Sequence, residues 1–112
     1  MQADTAPLIH RGGRRERMNA QWGTFRRKGS VHDLLVEAED AMRGQGYRVA
    51  NPVSNNNSMV MGGNDSVLAQ ATATSTGPEE TYLIVSAFSQ DASTAEQARN
   101  TVRDGIKDLY NL

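Results

Sequence analysis

The sequence predicts an α+β fold, an α-β-β-β(-β)-α two-layer sandwich. An antiparallel sheet of three to four strands carries two helices on one face, preceded by a flexible basic N-terminal arm. Three observations predict it. Apolar residues recur at helical spacing over 31–43 and again over 94–109. The stretch between them alternates in hydropathy and is broken by turn residues. Charge divides the chain: residues 1–30 hold seven basic and two acidic side chains, whereas residues 31–112 hold five basic and eleven acidic ones. Such asymmetry is that of a basic arm on an acidic body, so the chain divides into an arm at 1–29 and a single small α+β domain at 30–112.

The arm has glycines at 12, 13, 23 and 29 and no sustained apolar period, which predicts a disordered or loosely docked segment. The residues leave open whether Met1 or Met18 is the native start. In the body, Ser30 and Asp33 form a capping pair, and Val31, Leu34, Leu35, Ala38, Ala41 and Met42 share one helical face. Gly44 and Gly46 end that helix. Tyr47 to Val53 alternates as a strand, which Pro52 confines to a sheet edge or ends. Met59-Val60-Met61 is a short second strand between the turns at 54–58 and 62–65. From 67 to 75, Val67, Ala69, Ala71 and Ala73 alternate with Leu68, Gln70, Thr72 and Thr74, the first set small and apolar. Thr81 to Phe88 is the strongest strand signal in the chain. The capping box Ser93-Thr94-Ala95-Glu96 opens the second helix, on which Ala95, Ala98, Val102, Ile106 and Leu109 repeat, with Gly105 a weak point.

Composition narrows the functional classes. At 112 residues there is room for one domain, not for a two-domain enzyme. With no cysteine, disulfides, thiolate zinc sites and thiol catalysis are excluded. No apolar run approaches the length of a membrane span, and no segment reads as a signal peptide, so a cytoplasmic setting is the expectation; the lack of cysteine and the richness in Ala, Ser, Thr and Asn equally suit a mature exported chain whose leader was removed. Both histidines stand in unremarkable contexts: His10 in the arm, and His32, next to Asp33, at the start of the first helix. No serine sits in a nucleophile elbow, and Glu79-Glu80, Asp104 and Asp108 read as solvated turn and helix faces. The stretch Gly62-Gly63-Asn64-Asp65-Ser66 lacks the lysine of a phosphate loop and reads as a tight turn, as does the asparagine run at 55–57. No catalytic residue, cofactor or metal is expected, and a non-enzymatic binding module is.

Two features carry binding expectations. In the strand 81–88 both alternating sets are apolar: Leu83, Val85 and Ala87 on one side, and Tyr82, Ile84 and Phe88 on the other. A strand with two apolar faces is central or covered. Either the arm folds back and places Trp22 and Phe25 on the second face, or a homodimer or a protein partner covers it. The other feature is the arm itself, where Arg11, Arg14, Arg15, Arg17, Arg26, Arg27 and Lys28 interleave with Trp22 and Phe25. Arginines neutralise phosphates and aromatics stack on unpaired bases, so RNA or DNA is the alternative ligand.

The order helix, three strands, helix resembles that of double-stranded-RNA-binding domains. That family grips phosphates with lysines at the start of its second helix. The matching stretch, 91–98, holds Asp91 and Glu96 and no lysine, so the resemblance covers element order alone. The acidic body with an apolar second sheet face is also similar to small acidic dimers that chaperone secreted effectors, a likeness of fold without a shared motif.

Overall fold

The computed structural model describes residues 18–54 and 58–111. The first strand, β1, is Asn19–Lys28. It is followed by α1 (Val31–Gly44), β2 (Arg48–Val49), β3 (Met59–Gly63), β4 (Leu68–Gly77), β5 (Glu80–Ser89), α2 (Ala92–Asp104) and β6 (Tyr110–Asn111). The strands form one antiparallel sheet in the order β2-β3-β4-β5-β1-β6. The expected α+β architecture is present, with six strands rather than three or four.

The added strand is the main correction. Residues 19–28, read from sequence as arm, pair with β5 over their whole length, from Asn19 opposite Ser89 to Lys28 opposite Glu80. Their alternation was hidden because the inward set is Asn19, Gln21, Gly23, Phe25 and Arg27, of which only Phe25 is large and apolar. Gly23 is small for a reason: a Cβ there would sit 2.8 Å from the Phe25 ring, which lies over it. With β1 leading, the element order is no longer that of the double-stranded-RNA-binding family.

Period-two alternation sends one side of each strand into a single core. Phe25, Val60, Ala69, Ala71, Ala73, Leu83, Val85 and Ala87 are buried there. Leu34, Leu35, Ala38 and Met42 from α1 and Ala98 and Val102 from α2 complete the cluster. Small residues on β4 let the helices approach closely, as the alanine alternation predicts.

Ser30 caps α1, its Oγ accepting from the Asp33 N–H at 3.0 Å. The cap of α2 is Asp91 rather than the Ser93 box. Its carboxylate accepts from the Thr94 N–H at 3.1 Å and from the Thr94 hydroxyl at 2.6 Å. These bonds hold the Asp91 carboxyl below the ordinary carboxylate range, the Thr94 hydroxyl contributing most. α2 stops at Asp104, short of the expected 109, because Gly105 lies against Ala41 of α1 and the chain turns away there. Ile106 nevertheless stays in the core, and Asp108 takes a positive φ of 60° before Tyr110–Asn111 pairs with β1.

The segment read as a strand over 47–53 pairs only at Arg48 and Val49. Beyond it, the Asn51 carboxamide stands in for backbone: it accepts from the Met61 N–H at 2.9 Å and donates to the Met59 carbonyl at 3.1 Å. The glycine-rich stretch is the β3–β4 turn. There the Asn64 side chain accepts from the backbone of Ser66 and Val67.

Candidate interaction face

The second side of the sheet faces away from both helices. Register assembles it in rows across β3, β4, β5 and β1: Gly63, Leu68, Phe88 and Ala20; Met61, Gln70, Ser86 and Trp22; Met59, Thr72, Ile84 and Thr24. A fourth row holds Thr74, Tyr82, Arg26 and, from β6, Tyr110. Trp22 is 63% exposed, Tyr110 61%, Ile84 46%, Tyr82 43% and Leu68 41%. Phe88, Met59 and Met61 are half-buried among them. Five large, exposed apolar or aromatic side chains on one continuous surface exceed the scattered exposure that any protein shows.

Tyr82, Ile84 and Phe88, the residues singled out from sequence, therefore share this face. Trp22 and Phe25, expected to arrive together by the arm folding back, do not. β1 joins the sheet edge-on, placing Phe25 in the core beneath the helices at 4% exposure and Trp22 on the open face. Sequence reasoning missed Tyr110, which reaches the face by pairing with Arg26, far away in sequence, and Leu68, whose alternating set is otherwise the polar Gln70, Thr72 and Thr74. The alternation Ala20, Trp22, Thr24, Arg26, Lys28 was the signal available for Trp22.

The centre of the face holds one unsatisfied group. Ser86 is 6% exposed, and its hydroxyl has no hydrogen-bond partner among the described residues. A buried hydroxyl left unpaired costs about 1–3 kcal/mol. The other buried hydroxyls are satisfied: Thr81 donates to the Gly29 carbonyl at 2.8 Å and Ser89 to the Ser66 carbonyl at 2.7 Å.

The basic run at the end of β1 is split by the strand's alternation. Arg27 turns to the helix side, where its Nη1 lies 2.7 Å from Glu37 Oε1 and donates to the Lys107 carbonyl at 3.1 Å. Arg27 beside it, helped by the Lys107 N–H, holds the Glu37 carboxyl below its ordinary range. Arg26 and Lys28 stand on the open side, Arg26 with its Nη1 4.0 Å from Glu80. β3 and β4 carry no charged residue, and β5 carries only Glu80. Arg11, Arg14, Arg15 and Arg17 lie outside the described residues.

His32 is exposed in the first turn of α1. Among the described residues no group of three or more His, Asp or Glu side chains is placed to hold a metal ion, and no helix is long and apolar enough to cross a membrane. Comparison of the chain with protein-family models, curated proteins and solved structures finds no match.

Proposed function

We propose that the protein is a non-enzymatic interaction module that binds another protein surface through the open side of its sheet. The observation that carries this reading is the run of Trp22, Tyr82, Ile84, Leu68 and Tyr110 on a sheet face that neither helix covers. Burying such side chains is worth roughly 25 cal/mol per Å² of apolar area, a drive that acts on any complementary surface. The middle rows of the face, through Ile84 and Ser86, hold no charge, which suits a protein surface better than a phosphate backbone.

Polyanion binding is the second reading, and one observation favours it: Arg26 and Lys28 stand on the same face as Trp22, Tyr82 and Tyr110. Aromatic side chains flanked by cations are how sheets hold unpaired bases. Two features weigh against it. Arg27 is committed to Glu37, and Arg26 has Glu80 for a neighbour.

Photo-crosslinking in the native cell separates the readings. A photoreactive side chain at Thr24 or Thr74, on the open face, is expected to yield adducts with protein, while one at Asp40 on α1 is not. Nucleic-acid adducts from the sheet positions, or no adduct at all, would contradict the module reading.

A further inference from the structure

We infer that the occupant of the open sheet face is a second copy of this chain, packed sheet against sheet about a two-fold axis that passes near Ile84. The inference rests on the reading of this face as the interaction surface.

Size is the first argument. Strands lie about 4.8 Å apart and rise about 3.4 Å per residue. Three ten-residue strands and the shorter β3, β2 and β6 therefore outline roughly 600 Å² of flat area per copy. Side-chain relief raises the accessible surface above that outline, toward the roughly 800 Å² that each partner gives to a standard interface.

Charge is the second argument. A surface meets its own copy only if like charges do not face each other. β3 and β4 have no charge, and the ionic groups on this side stand at its margins: Arg26, Lys28 and Glu80 at one end of β1 and β5, and Arg48 on the edge strand β2, 3.6 Å from Asp65. Mid-face, the rows through Ile84 and Ser86 are uncharged. A foreign partner imposes no such requirement for self-compatibility.

The third argument is position. β5 is an interior strand, with β4, β3 and β2 on one side and β1 and β6 on the other, and Ile84 lies near the middle of its ten residues. The residue at the centre of a self-complementary face meets its own counterpart.

Charge pairing tests this directly in the full-length chain. Sedimentation velocity is run on the wild type, on Ile84→Lys and Ile84→Glu separately, and on their equimolar mixture. Far-UV circular dichroism checks the fold, which an exposed position leaves intact. The wild type is expected to sediment as a dimer, each variant as a monomer, and the mixture as a dimer again, because only opposite charges now meet at the axis. Tyr82→Lys, a second route, is expected to give a monomer. A monomeric wild type, variants that dimerise unchanged, or a mixture that stays monomeric would each overturn the inference. If sheet-face photoprobes still capture a different protein, the second copy alone fails; if they capture no protein, the underlying reading fails with it.

Discussion

Glu37 ties three parts of the chain together. Its Oε1 receives Arg27 from β1 and the Lys107 N–H from beyond α2, at 2.7 and 3.1 Å. Because its folded pKa lies below its ordinary value, the stability it contributes is present above the unfolded pKa and is lost as pH falls through the folded one. Glu39 behaves alike, held low by the Val53 N–H and then by Arg43. Glu37→Gln is expected to cost about 1–2 kcal/mol at neutral pH. It should also shrink the loss of stability below the ordinary glutamate range, as urea melts at neutral and acid pH would read. Equal acid sensitivity in the variant would deny Glu37 that role. Ile84 is the opposite case: at 46% exposure, Ile84→Lys should change monomer stability by no more than about 1 kcal/mol.

At the scale of elements, Gly105 offers a test of sign. Helix propensity alone makes Gly→Ala favourable by about 1 kcal/mol. Yet a Cβ at 105 would collide with the Ala41 Cβ, a rigid methyl on α1. Gly105→Ala is therefore expected to destabilise by about 1–3 kcal/mol, and a raised melting temperature would refute the close packing. β1 is the element that sequence reading lost. Its inward partners are a glycine, two amides and an arginine, so hydropathy alone shows no period. Its pairing with β5 supplies what local pattern lacks. Removing residues 1–29 should abolish cooperative unfolding, and Phe25→Ala should cost about 3–5 kcal/mol; a truncated chain that still melts cooperatively would contradict the placement of β1. By contrast α1, β4 and β5 were legible: in α1 the Ser30 cap agrees with the helical period, in β4 the alternation of alanines with Gln70, Thr72 and Thr74 is regular, and β5 is rich in β-branched and aromatic residues. The end of α2 was not, since the i, i+4 spacing of Val102 and Ile106 continues past the residue at which the chain turns.

Over the whole molecule, charge is sorted by layer. Among the described residues, the acids at 33, 37, 39, 40, 91, 96 and 104 lie in or at the ends of the helices, while only Glu80 among the acids lies in a strand. The middle of the sheet's outer face is thereby left apolar and uncharged, with Arg26, Lys28, Glu80 and Arg48 at its margins. Half of that face was readable from Tyr82, Ile84 and Phe88, whose alternation is local. The other half, Trp22 and Tyr110, depends on pairings between distant segments, which no local pattern encodes. Trp22 is the chain's single tryptophan, and it stands on the face itself. Quenching of its fluorescence by acrylamide, followed as the protein is diluted, reports whether that face is covered. The account predicts a Trp22 that is shielded at high concentration and becomes freely quenched on dilution, and that is freely quenched throughout in Ile84→Lys. Equal quenching of the wild type at every concentration would contradict it.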